Sequence, residues 1–201
     1  MKPAIRPQKP SDDATKDNQM AEHPTQTHYP SPLKAQEIVS RTLSIMVDNE
    51  PGVLARVIGL FSGRGYNIDS LTVTETEHEK HISRITIMTR GTPAVIEQIK
   101  HQLERLVPVH RVRDLTAEGD SVERELALVK VSGKGDKRIE ALRLAEIFRA
   151  KVIDTSTEHF VFEVTGKPSK IETFIQIMTE LGLVEIARTG IAAIGRGAAT
   201  L

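Results

Sequence analysis

One order of elements occurs twice along this chain, and that repetition limits the available folds more than any other feature. Leu43, Ile45 and Val47 alternate with Ser44 and Met46, the period of a strand with one face more deeply buried. Asp48-Asn49-Glu50-Pro51-Gly52 breaks the pattern with proline and glycine. From Val53 onward, Val53, Leu54, Val57, Ile58, Leu60 and Phe61 share one face of a helix. Gly63 and Gly65 end that helix, and Tyr66-Asn67-Ile68 is expected to open the next strand, continuing over 70–76. A charged hairpin tip at 75–80 leads to a return strand at 82–89 and a turn at Arg90-Gly91-Thr92-Pro93. A second helix carries Val95, Ile96, Ile99, Leu103, Leu106 and Val107 on one side, and 109–115 forms a last strand. The order is β-α-β-β-α-β, a split βαβ or ferredoxin-like unit.

Past a polar stretch the order starts again. A strand at 125–132 and the loop Gly133-Lys134-Gly135-Asp136 precede a helix with Ile139, Leu142, Leu144, Ala145, Ile147 and Phe148. A hairpin spans 151–158 and 160–165, another helix carries Ile171, Phe174, Ile175, Ile177, Met178 and Leu181, and 183–194 holds a final strand. Ile68-Asp69-Ser70 lines up with Ile153-Asp154-Thr155, and Gly91-Thr92-Pro93 with Gly166-Lys167-Pro168. The offset shrinks between these two matches, so the lost residues fall in the hairpin, where a change of length disturbs least. Both Gly-x-Pro turns place proline near the first helical turn, its favoured position.

The expected fold class is α+β: two tandem ferredoxin-like βαββαβ units preceded by a disordered tail. The expected boundaries are a tail over 1–40, a first unit over 41–116, a linker over 117–123 and a second unit over 124–201. The tail holds six of the ten prolines and almost nothing apolar in sequence, so burial there cannot offset the entropy of ordering.

Several functions are disfavoured by composition. Basic and acidic residues balance at 27 each, which gives no global field for nucleic acid or an anionic membrane. The absence of cysteine excludes disulfides and thiolate chemistry and fits the reducing cytoplasm, the expected location. No apolar run approaches the ~18–20 residues of a membrane span. Asp12, Asp13 and Asp17 argue against an organellar transit peptide. RNA-binding sheets of this topology need aromatics on the central strands, where this chain carries Ile, Thr and Ser. His78 and His81, with Glu75, Glu77 and Glu79, sit on a charged hairpin tip that reads as solvated surface, so no metal site is expected. Gly133-Lys134-Gly135 lacks Walker spacing and reads as a flexible turn. No nucleophile or acid–base constellation emerges, and no catalytic residue is assigned.

The loop at 48–52 remains. It ends at a helix start, where free backbone N–H groups suit a carboxylate or a phosphate, although an ordinary strand-to-helix turn has the same local pattern.

Asp48-Asn49-Glu50-Pro51-Gly52-Val53-Leu54 resembles the opening of an ACT domain, a small-ligand-sensing βαββαβ module. The run from Arg56 through Gly63-Arg64-Gly65-Tyr66-Asn67-Ile68-Asp69-Ser70-Leu71-Thr72-Val73 narrows the likeness. It resembles the regulatory (small) subunit of acetohydroxyacid synthase, also called acetolactate synthase. Ser83-Arg84-Ile85-Thr86-Ile87 and Val122-Glu123-Arg124-Glu125-Leu126 extend the resemblance, which runs from about residue 41 to 196.

In that family the partner is a catalytic large subunit that condenses two 2-keto acids at the start of branched-chain amino acid synthesis. The resemblance implies that this chain raises the partner's activity and confers feedback inhibition, usually by valine, without a catalytic site of its own. It implies that Asn49, Gly52 and Asn67 hold the effector. A zwitterionic ligand fits this set: its carboxylate would meet the N–H groups of Gly52, Val53 and Leu54, where the helix dipole contributes roughly 0.3–1 kcal/mol. Its ammonium would meet the side-chain carbonyl of Asn49 or Asn67, and Leu54 or Ile68 would wall its branched side chain. ACT sites commonly lie between paired domains, which implies a homodimer through the first unit. Thiamine diphosphate, magnesium and FAD are expected on the catalytic subunit and no cofactor on this chain; Gly119-Asp120-Ser121 does not continue as the family's diphosphate motif. A stand-alone amino-acid-sensing ACT protein is the alternative.

Overall fold

A computed structural model of the protein describes residues 37–198; the expected disordered tail lies, up to residue 36, outside the described residues. The first unit comprises β1 (Val39–Asp48), α1 (Val53–Ser62), β2 (Ser70–Glu77), β3 (Ile82–Gly91), α2 (Pro93–Glu104) and β4 (Val109–Asp114). Its antiparallel sheet has the order β2-β3-β1-β4, with the register Leu43↔Ile87 and Ile45↔Ile85. Because side chains alternate along a strand, Leu43, Ile45, Val47, Ile85 and Ile87 all face the two helices. Val53, Val57, Leu60 and Phe61 of α1 and Ile96, Ile99 and Leu103 of α2 close the core against them. Thr92 caps α2 by accepting a hydrogen bond from the N–H of Val95, and Pro93 occupies the first turn, where its missing donor costs nothing.

The second unit repeats the topology. It comprises β5 (Ser121–Val131), α3 (Asp136–Ile147), β6 (Lys151–Thr155), β7 (Phe160–Gly166), α4 (Pro168–Leu181), β8 (Leu183–Arg188) and β9 (Ala192–Gly195). The sheet order is β6-β7-β5-β8. Its core differs in kind. Phe162 and Phe174 meet edge to face, with centroids 6.1 Å apart, and Phe148 lies 5.3 Å from Phe174. Such ring pairs contribute beyond the area they bury.

Several expectations about elements need correction, the smallest being that α2 ends at Glu104 and leaves Leu106 and Val107 beyond it, Val107 exposed. Tyr66, Asn67 and Ile68 do not open β2, which starts at Ser70; the chain first folds back on α1, with the N–H of Tyr66 donating to the carbonyl of Phe61. Residues 121–123, expected in a linker, already belong to β5, and Val39 and Ser40, expected in the tail, belong to β1. The stretch 183–194 is two strands rather than one. β8 pairs with 127–131 of β5, the chain breaks at Gly190 (φ +82°), and β9 pairs with 121–124. Lastly, α3 does not bury its largest apolar residues. Ile139 and Ile147 are 69% and 65% exposed, while Ala141 and Ala145 face the core that Phe162 and Phe174 fill, with Leu142 and Leu144 packed at its edge.

The break at Gly190 lets the end of the chain cross the outer face of the first sheet. Ile191 and Ala193 pack with Leu115 and Met88 in a small third cluster. The hydroxyl of Thr72 donates to the carbonyl of Ile191 (3.0 Å), and the N–H of Ile191 donates to the hydroxyl of Ser70 (2.9 Å). On the far side of that face Thr42 donates to Glu123 (2.7 Å). Among the described residues no helix is long and apolar enough to cross a membrane.

Candidate functional site

The loop after β1 is tied down where it leaves the strand. The N–H of Asp48 donates to the carbonyl of Pro108 (2.9 Å) and that of Asn49 to the carbonyl of His81 (2.6 Å). Gly52 takes φ +86°, a left-handed conformation that costs any other L-residue roughly 1–2 kcal/mol. A side chain there would meet nothing within 4 Å, so conformation rather than space calls for glycine. No side chain caps α1, so its first turn presents backbone donors to solvent. One of the three expected donors is partly engaged: the N–H of Val53 reaches the carbonyl of Glu50 at 3.3 Å. The side chain of Val53 is buried in the core and can offer a ligand only backbone, whereas Leu54 is 38% exposed and able to form an apolar wall. Asn49 is exposed.

Asn67 and Ile68 are fastened to β3. The hydroxyl of buried Thr89 donates to the carbonyl of Asn67 (2.6 Å), and the N–H of Asp69 donates to that of Met88 (2.8 Å). Ile68 is half-buried against the first core. The side-chain amide of Asn67 donates to Oδ1 of Asp69 (2.6 Å). Arg90 grips the same carboxylate with two parallel bonds, Nε to Oδ2 (2.7 Å) and Nη2 to Oδ1 (2.9 Å). These bonds, that from Arg90 foremost, hold the Asp69 carboxyl below the usual carboxylate range, and the Asp69 carboxylate in turn holds the Arg90 guanidinium above its ordinary value.

The six expected effector residues form two groups within one chain. Asn49 contacts His81 just before β3 begins, and Asn67 contacts Thr89 near its end. Eight residues of extended chain separate those anchor points, about 25 Å at strand spacing. Asn49, Gly52, Val53 and Leu54 thus mark one end of the sheet, and Asn67 and Ile68 the other. No single amino acid spans both.

Asp69 and Arg90 escaped the sequence reading. The Asn-x-Asp spacing was the available local signal, but Arg90 is 21 positions from Asp69 and only the β2–β3 pairing brings it near. Asp69 also lines a cavity of about 570 Å³ beside Ser70, Met88, Glu125, Arg188 and Ile191. Glu125 is only 5% exposed and takes two bonds from Arg188, which also reaches Glu172. The charges around that cavity therefore satisfy one another. At the hairpin tip His78 bonds Glu75 (2.7 Å), and among the described residues no cluster of three or more His, Asp or Glu side chains is placed to hold a metal. Gly133 packs against the backbone of Lys137, Arg138 and Leu181, so the 133–135 turn has no open cradle at its first glycine.

The chain matches two family models in tandem: an acetohydroxyacid synthase small-subunit-like ACT domain over residues 43–111, and the small subunit of acetolactate synthase over residues 124–197. It is 45% identical over 159 residues to a probable acetolactate synthase small subunit of Archaeoglobus fulgidus, covering 79% of this chain and 98% of that protein. It is 44% identical over 158 residues to the acetolactate synthase isozyme 3 small subunit of Escherichia coli, covering 78% of this chain and 96% of the relative. The crystal structure of the acetolactate synthase small subunit from Thermotoga maritima superposes with a TM-score of 0.71 at 44% identity, over 80% of this chain and 99% of that one. The chain therefore belongs to the family of acetolactate synthase small subunits, the regulatory chains of that enzyme.

Proposed function

We propose that this chain docks on the catalytic large subunit of acetolactate synthase in the cytoplasm, raises its activity and makes it subject to feedback inhibition by valine. The observation that carries this reading is the division of the site between the two ends of the first sheet. Among the described residues β2 is an edge strand with one side unpaired and with Val73 exposed on it. A second copy laid antiparallel along that edge brings the 67–68 end of one protomer to the 49–54 end of the other. Two equivalent pockets result, each with an uncapped helix start for a carboxylate, amide carbonyls for an ammonium, and Leu54 with Ile68 for a branched side chain. Ligand binding is then linked to dimerisation. The thiamine diphosphate, magnesium and FAD belong to the large subunit, and this chain contributes no group to the chemistry.

Mixing the purified chain with its cognate large subunit, with and without valine, tests the reading. Stimulation that valine reverses is expected; the absence of both effects overturns it. Asn49→Ala is expected to raise the half-inhibitory valine concentration about tenfold, the worth of one hydrogen bond to a charged group, while stimulation persists. Light scattering is expected to give a dimer mass, and a monomer in the presence of valine argues against the composite pocket.

A further inference from the structure

We infer that Asp69 and Arg90 are positioning residues that set which end of the Asn67 amide faces a ligand, and so make this position select for an amine. The inference rests on Asn67 being an effector residue, as proposed above. An ionised carboxylate only accepts hydrogen bonds, so the group that Asn67 turns toward Asp69 must be its NH₂. Arg90 keeps the carboxylate ionised and fixes its plane through two bonds. The amide carbonyl of Asn67 is left as the outward end. The backbone that carries the amide is fixed in turn, because Thr89 holds the carbonyl of Asn67 and Met88 holds the N–H of Asp69.

An outward carbonyl accepts from an ammonium and repels a carboxylate. The two ends of the composite pocket are therefore assigned: the ammonium of the effector lies at Asn67 and its carboxylate at the Gly52–Leu54 helix start of the other copy. Preorganisation adds to this, since the amide needs no rotation on binding. Arg90 is the second element of the device: the Nε–Nη2 edge of its guanidinium is directed at Asp69.

The test compares L-valine with 3-methylbutanoate, the same molecule without its amine, by calorimetric titration of the full-length chain. Valine is expected to bind more tightly than 3-methylbutanoate. Asp69→Asn can donate as well as accept, so the amide of residue 67 is free to flip, and the ratio of the two affinities is expected to fall about tenfold. A role confined to folding weakens both ligands alike, and an unchanged ratio overturns the inference. Arg90→Gln, at an exposed side chain, provides a second route if Asp69→Asn fails to fold, with an expected fall of about threefold in the ratio. An unchanged ratio there also counts against it. In an Asn67→Ala background Asp69→Asn is expected to add nothing, and a further loss overturns the inference. If the unmodified chain does not bind valine, or Asn67→Ala leaves valine binding intact, the effector reading itself has failed; a fixed ratio with intact valine binding rejects only the positioning role.

Discussion

The two units share a topology and differ in part of what their matching loops do. After β1 the chain leaves Gly52 in open space and α1 uncapped. After β5 the chain packs Gly133 against backbone, with a side chain there meeting the N–H of Arg138 at 3.2 Å and the carbonyl of Leu181 at 3.3 Å. At the next loop Asp69 holds the amide of Asn67, whereas its counterpart Asp154 bonds His159 within its own hairpin (3.0 Å). Both copies leave a glycine in open space ahead of a helix that no side chain caps, Gly52 before α1 and Gly135 before α3; they differ at the packed Gly133 and at the loop after the first helix, where an asparagine amide is held in the first copy only. A βαββαβ scaffold carries a ligand site only where its loops leave donors and acceptors unspent.

The largest expected effect lies where the units meet. Gly190 has φ +82°, and a side chain there would lie 2.9 Å from the hydroxyl of Ser70 and 3.0 Å from that of Thr72. Gly190→Val is expected to cost about 3 kcal/mol, roughly 10 °C in melting temperature, and to split one calorimetric transition into two. A single transition with an unchanged midpoint would show that the seam does not couple the units.

A glycine pair sharpens the contrast between the loops. Gly133→Ala is expected to lower stability by about 1–2 kcal/mol through crowding and to leave valine inhibition untouched. Gly52→Ala is expected to lower stability by about 1 kcal/mol through its backbone conformation and to weaken valine inhibition several-fold. Urea denaturation and inhibition curves read the two quantities separately, and a reversed assignment would break the comparison.

The smallest effect is in the pH dependence. Arg90, chiefly by its hydrogen bonds, holds the Asp69 carboxyl below its ordinary value, so the folded chain takes up that proton less readily than the unfolded chain. The resulting stabilisation is present above about pH 4 and is lost as pH falls through the lower folded value. Asp69→Asn should therefore melt below the parent chain near neutrality, with the gap closing in acid. A gap that persists at pH 2 would remove Asp69 as its cause.

Much of this was legible before any coordinates. The alternation of Leu43, Ile45 and Val47 and the helical spacing of Val53, Val57, Leu60 and Phe61 mark elements that the structure contains. Gly-Thr-Pro and Gly-Lys-Pro start α2 and α4 at their prolines. The second half read less well. Ile139 and Ile147 match a helical period but face outward, while Ala141 and Ala145 meet a core that phenylalanines from other elements fill. The end of the chain read as one strand because Gly190 divides it between two partners, and partnership is not a local property.

Sequence alone determined that this chain is two βαββαβ units, since periodicity and turn chemistry act over a few neighbouring positions, and the family resemblance pointed to Asn49, Gly52 and Asn67 as the expected effector residues. Tertiary structure alone decided that those residues stand at opposite ends of one sheet. It also decided that Arg90 locks Asp69 from 21 positions away, and that Thr72 joins Ile191 across 119. Such pairings depend on which strands lie side by side, and strand order follows from burying both helices of each unit on one face of its sheet.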